Sequence, residues 1–138
     1  MIIKQISIFM ENTTGRLADV TALLAKGGVN MRALSIADTA DFGILRMVAD
    51  RPDEAVQLLK DAGFIARETD VIGVEVPDHP GELARIMALF RDEGVNIEYL
   101  YASLEHKVDK AVIVLKVDDI NAGLAMLEKH GFSTIPSF

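Results

Sequence analysis

Apolar and polar residues alternate from Ile2 to Met10, the period of a half-buried strand. From Leu17 the period lengthens, and Leu17, Val20, Thr21 and Leu24 recur at the spacing of one helical stripe. Gly28 ends the predicted helix, as glycine commonly does just past a C-terminus. Two strands follow, near Asn30–Ala37 and Gly43–Ala49, joined by the polar turn "ADTAD". A second helix starts at Pro52, a residue suited to the first helical position, and stops before Gly63. Phe64–Arg67 supplies the last strand.

The same order then recurs. Ile72, Val74 and Val76 alternate as Ile6, Ile8 and Met10 did, and Leu83, Ile86, Met87 and Phe90 form the next helical stripe. Gly94 stops that helix, and strands near Asn96–Leu104 and Lys110–Val117 flank the turn "EHKVD". A helix from about Asp119 to His130 ends at Gly131, and Phe132–Ile135 closes the pattern. Gly15–Leu34 lies over Gly81–Leu100 without a gap, with nine identities in twenty. Average residue frequencies would give about one or two. "DAGF" (Asp61–Phe64) matches "KHGF" (Lys129–Phe132) once two extra residues are allowed in the second copy's middle turn.

The chain is therefore read as two copies of one unit, 1–69 and 70–138. The order βαββαβ places each in the α+β class, on the ferredoxin-like plan: a four-stranded antiparallel sheet with two helices on one face. A unit this small buries only about 60% of its unfolded surface and is marginal alone. Between the copies, "FIARETDVIGVEV" contains no Pro/Gly/Ser-rich linker, so the two modules are expected to be packed together.

Composition narrows the function. The 138 residues carry a net charge of −7, and the basic residues are scattered singly (Lys26, Arg32, Arg46, Arg51, Arg67, Arg85, Arg91). Displacing counterions from nucleic acid needs a basic stripe, so no nucleic-acid partner is expected. No apolar run approaches the roughly 20 residues that span a bilayer, and the start lacks the pattern of a signal peptide. A cytoplasmic location and no membrane partner are expected. Without cysteine there is no thiolate catalysis and no zinc–sulfur site. His79, His106 and His130 are too dispersed for a metal site or a proton relay, and Glu98 and Glu105 fall on opposite faces of one strand. No catalytic residue, metal or cofactor is expected.

The loop ahead of the first helix is the element written twice. "NTTGRLA" runs from Asn12 to Ala18 and "DHPGELA" from Asp78 to Ala84. Backbone N–H groups at a helix start lack intrahelical partners and, with the helix dipole, suit a carboxylate. Gly15 and Gly81 let a ligand approach the backbone, and an Asn12 or Asp78 oxygen can accept from an ammonium group. Asn30 and Asn96, after each helix, can bond a carboxylate or amide. Together these groups suit an α-amino acid. A structural reading stands beside each: the glycines for tight strand-to-helix packing, Thr13 or His79 as N-caps with Pro80 at the first helical position, and the Asn residues as partners of turn backbone.

"FMENTTGRLADVTALLAKGGVNM" and "EVPDHPGELARIMALFRDEGVNI" resemble ACT domains, βαββαβ regulatory modules that bind amino acids. The resemblance covers nearly the whole chain. It implies an amino-acid ligand at the seam between two modules, the loop of one facing the strand start of its neighbour. Carried over by position, it nominates Asn12, Thr13, Gly15 and Leu17 with Asn96, and Asp78, His79, Gly81 and Leu83 with Asn30. Thr14 stands where the usual motif, and the second copy at Pro80, has proline, so the two sites are not equivalent. A homodimer is expected, because exposed edge strands find partners. "ENTTG…GVN" also resembles the opening of small regulatory subunits of acetohydroxyacid synthase, which implies a catalytic partner protein read mainly by contact. An RNA-binding module needs exposed aromatics with basic neighbours. Tyr99 and Tyr101 share a strand face, but their neighbours are Glu98 and Glu105, and partial burial of the rings is expected instead.

Overall fold

The structure, a computed structural model, describes residues 1–104 and 108–137. Glu105 and His106 lie outside the described residues. Two compact units divide the chain. The first holds Lys4–Thr69; the second holds Asp70–Ser137 together with Met1–Ile3. Ile3, grouped with the second unit, places its side chain over Gly73, where an added Cβ would lie 2.6 Å from Ile3 Cδ1.

In the first unit β1 (Ile3–Glu11), α1 (Arg16–Lys26), β2 (Met31–Asp38), β3 (Phe42–Ala49) and α2 (Pro52–Asp61) lead into β4 (Ile65–Pro77). β4 passes from the first unit to the second between Thr69 and Asp70. The second unit continues through α3 (Glu82–Asp92), β5 (Ile97–Ala102), β6 (Lys110–Val117), α4 (Ile120–Lys129) and β7 (Ser133–Ile135). Strand order is β4-β1-β3-β2 in the first unit and β7-β4-β6-β5 in the second. The pairs β1–β3, β2–β3, β4–β6, β4–β7 and β5–β6 are antiparallel. This is the expected ferredoxin-like plan, α+β with two helices per sheet.

Burial follows the alternation read from the sequence. Ile6, Ile8 and Met10 join Val20, Leu24, Leu45, Met47 and Leu59 in one core. Ile72, Val74 and Val76 join Ile86, Phe90, Leu115 and Leu127 in the other. Each such side chain contributes about 1.5–3 kcal/mol on burial. All four helices end alike, with a positive-φ glycine at Gly28, Gly63, Gly94 and Gly131. In α1, Gly28 N–H donates to Ala25 O at 3.0 Å and Val29 N–H to Leu24 O at 3.0 Å. In α3, Gly94 and Val95 repeat the pattern onto Arg91 O and Phe90 O. The paired bonds satisfy the last carbonyls and turn an apolar residue back into the core. Among the described residues no helix is long and apolar enough to cross a membrane.

Candidate functional site

Each repeated loop is built from the end of a strand, a tight turn and a helix start. In the first unit Thr13 N–H donates to Glu11 O at 3.0 Å, and Arg16 N–H to Thr13 O at 3.3 Å. In the second unit His79 N–H donates to Pro77 O at 3.0 Å, and Glu82 N–H to His79 O at 3.3 Å. The turn between the middle strands braces each loop. Asn12 N–H reaches Asp41 O at 2.9 Å, and Asp78 N–H reaches Asp109 O at 2.8 Å.

The helices begin at glycine. Gly15 (φ 92°, ψ −14°) and Gly81 (φ 91°, ψ −13°) are the N-cap residues, both left-handed, and neither helix start has a side-chain cap. Two expectations are thereby corrected. Thr13 and His79 are not N-caps, and Pro80 precedes the cap instead of opening the helix. Tight packing does not require the glycines either, since a Cβ at either position meets nothing within 4 Å. The positive φ requires them, because a Cβ there costs backbone strain. The first intrahelical bonds are Asp19 N–H to Gly15 O and Arg85 N–H to Gly81 O, both 2.9 Å. Leu17 and Ala18 N–H, and Leu83 and Ala84 N–H, have no partner among the described residues. These donors point along the helix axis at its positive end, where an anion is favoured.

The side chains around the donors differ. Asn12 Nδ2 donates to Thr39 O at 3.1 Å, which orients the amide and leaves Oδ1 as an acceptor. Asp78 is exposed and can only accept. Leu17 and Leu83 are 45% and 41% exposed, although the helical stripe placed both with the core. Thr21, in the same stripe, is also exposed and bonds back to Leu17 O at 2.8 Å. Leu34 and Ile36 on β2, and Leu100 on β5, continue this apolar margin on the helix-bearing face of each sheet. β2 and β5 are the outer strands of their units.

Asn30 and Asn96 sit past the other end of the helix from their own loops. An 11-residue helix is about 16 Å long, so a loop and the Asn of the same unit do not converge. Their backbones are held alike. Asn30 N–H donates to Asp50 Oδ1 at 2.9 Å, and Asn96 N–H to Asp118 Oδ1 at 3.0 Å. Return bonds run from Asp50 N–H to Asn30 O and from Asp118 N–H to Asn96 O. Asp50 and Asp118 thus serve the turn backbone, and the amide groups of Asn30 and Asn96 have no partner among the described residues. A register shift follows at Met31/Ala33 and again at Ile97/Tyr99. Such bulges re-aim the side chains beside them.

The sequence reading missed Arg16, Ile36 and Asp38. With Asn12, Thr13 and Leu17 they line a crevice of about 50 Å³ at the first loop. Arg16 Nε is buried 3.1 Å from Glu11 Oε2, yet misaligned for a hydrogen bond. Its position directly after Gly15 was the available signal. A small-molecule site usually offers about 300 Å³ or more, so this crevice alone cannot enclose an amino acid. Among the described residues no group of three His, Asp or Glu side chains is placed to hold a metal ion. Tyr101 is buried and Tyr99 half-buried.

Comparison with known proteins agrees with this architecture. The family model of the ACT domain pair matches residues 1–132. A crystal structure of a protein from Bacteroides thetaiotaomicron superposes with a TM-score of 0.92 at 40% identity, covering 98% of this chain and 92% of that one. The regulatory subunit of aspartate kinase from Thermus thermophilus, in its ligand-free form, is similar in fold (TM-score 0.69, 16% identity, 93% and 92% covered). The corresponding subunit from Thermus flavus gives a TM-score of 0.63 at 17% identity, with 94% of each chain covered. No curated protein matches the sequence. A doubled βαββαβ unit with glycine-capped loops, matched over nearly its whole length, makes this chain a member of the ACT domain pair family.

Proposed function

We propose that this protein is a regulatory module that binds a free α-amino acid and has no catalysis of its own. The observation that carries the reading is the pair of uncapped helix starts. In both units two backbone donors stand unpartnered beside a glycine whose missing Cβ leaves open space. The ligand carboxylate takes those donors. At the second loop Asp78 supplies the counter-charge to the ammonium group, with His79 and Leu83 beside it; at the first loop Asn12, Thr13 and Leu17 take these places. Asn30 or Asn96 of a facing module completes each site. The small crevice at the first loop and the apolar margin of Leu17, Leu34 and Ile36 support a second covering surface. A homodimer joined at an outer strand would provide one. A cytoplasmic location fits a free amino-acid ligand.

Regulation follows from differential affinity. A ligand that binds one arrangement of modules better shifts the population toward it, and a partner reads the change. Fold likeness to the regulatory subunits of aspartate kinase supports a catalytic partner. A second reading, in which the chain acts mainly by protein contact as a separately encoded regulatory subunit, is favoured by the same exposed apolar margin.

A thermal-shift screen of the purified chain against the twenty amino acids tests the proposal. A ligand at 100 times its Kd adds about 2.7 kcal/mol and raises Tm by several degrees. One or two positive amino acids would support the sensor reading and name its effector. A flat response to all twenty would reject it in favour of the contact reading.

A further inference from the structure

The second unit carries a cleft of about 210 Å³ beside its loop, bounded there by Val76 and Pro77. Its lining includes Glu75, Arg85, Lys110, His130, Phe132 and Ser133. The repeat sets these over Phe9, Asp19, Phe42, Ala62, Phe64 and Ile65. Sheet register confirms the Lys110 position: Lys110 pairs with Pro77 as Phe42 pairs with Glu11. Only the phenylalanine is kept. The other five positions are apolar or acidic in the first unit, so the fold does not demand polar or cationic groups there.

The cations in the cleft hold unspent donors. Arg85 directs Nε and Nη2 to Glu82 Oε2 at 3.1 and 2.9 Å, and its guanidinium lies 4.7 Å over the Phe132 ring. Nη1 has no partner among the described residues. Stacking pre-orders the group, so less freedom is lost when it binds an anion. Lys110 Nζ is 3.6 Å from Glu75 Oε2, and His130 Nε2 is 3.6 Å from Glu93 Oε1. Both distances exceed a good charged hydrogen bond. Arg85 and Lys110 therefore reach the cleft with donors left over, each beside a single carboxylate, Glu82 and Glu75.

We propose that this cleft binds the phosphate or carboxylate group of a small anion, held by Arg85, Lys110 and His130, with the Ser133 hydroxyl as a further donor. A volume of this size admits a phosphate or a small carboxylate with water around it. Glu75 is the one carboxylate in the lining, and the anion must replace it beside Lys110, which keeps the affinity weak.

The test is an amide NMR titration of the nitrogen-15-labelled full chain, with inorganic phosphate in one arm and acetate in the other. Ionic strength is held constant with chloride. Saturable shifts centred on Gly131, Phe132 and Ser133 are expected, and the stronger arm identifies the oxyanion. Lys110→Gln and Arg85→Gln should each weaken binding about tenfold. Lys116→Gln, whose lysine pairs with Glu98 outside the cleft, should not. Shifts that never saturate, or that are unchanged in both cleft variants, would overturn the proposal.

Discussion

The two units share a frame and disagree at their surfaces, and one disagreement is instructive. Each places a guanidinium 4.7 Å from the centre of a phenylalanine ring: Arg16 over Phe64, and Arg85 over Phe132. The rings are equivalent in the repeat, but the arginines are not. Arg16 aligns with Glu82, and Arg85 with Asp19. The helix start therefore carries Arg16–Asp19 in one unit and Glu82–Arg85 in the other, the same i,i+3 ion pair with its charges exchanged. Residues three apart share a helix face, so either order covers the ring. The contact is retained while the sign of the charge beside each loop is reversed. A cation sits next to Gly15 and an anion next to Gly81.

A second contrast lies where the helices pack. Gly27 lets α2 approach so closely that a Cβ there would meet Leu58 Cδ1 at 2.3 Å. The repeat puts Glu93 at that position, where it faces Lys129 and His130 at 3.7 and 3.6 Å. Arg51 also donates from Nη2 to the carbonyls of Gly27 and Gly28, clamping the end of α1. At the start of α4 the second unit has instead a side-chain cap, Asp119 Oδ1 accepting from Ala122 N–H at 3.1 Å. The core and the backbone of the loops and helix ends are common to both units, whereas the side chains that dress them are individual.

Breaking the common part should cost most. Phe90→Ala is expected to destabilise the chain by about 3–5 kcal/mol and its counterpart Leu24→Ala by about 2–5 kcal/mol, read by urea denaturation. A loss below about 1 kcal/mol at either site would mean that the cores relax around the cavity. The loops should separate next. Asp78→Ala is expected to weaken amino-acid binding about tenfold, or roughly 1.4 kcal/mol. Asn12→Ala should matter less for the ligand, because the neutral Asn12 Oδ1 offers an ammonium group a hydrogen bond but no counter-charge. Calorimetric titration of the folded variants distinguishes them, and equal losses would contradict the proposed asymmetry. Smallest is the exchanged pair. Arg16→Ala and Arg85→Ala should each cost about 0.5–1 kcal/mol of stability, since the stacked cations are partly exposed.

Much of this molecule is legible along the chain. Period-two alternation, helical stripes and the Pro and Gly signals gave the order of the elements, and glycines at Gly28, Gly63, Gly94 and Gly131 marked four helix ends; the strands expected at Phe64–Arg67 and around Ile72–Val76 are one continuous strand, β4. These signals depend on neighbours a few residues apart, which any sequence displays directly. The doubled loop was equally visible, and with it the positions of Gly15 and Gly81. Their role was not. Left-handed φ with empty space above, rather than close packing, accounts for both glycines, and only coordinates reveal a backbone angle. Leu17 and Leu83 match the helical period yet lie outside the core, because a stripe does not say where the sheet beneath it ends. Sheet register set Lys110 at the position of Phe42, and chain reversal brought His130 beside Arg85. Such contacts join residues far apart in sequence, and no local period encodes them. The fold was therefore written in short-range pattern, while the groups available to a ligand were decided by long-range packing.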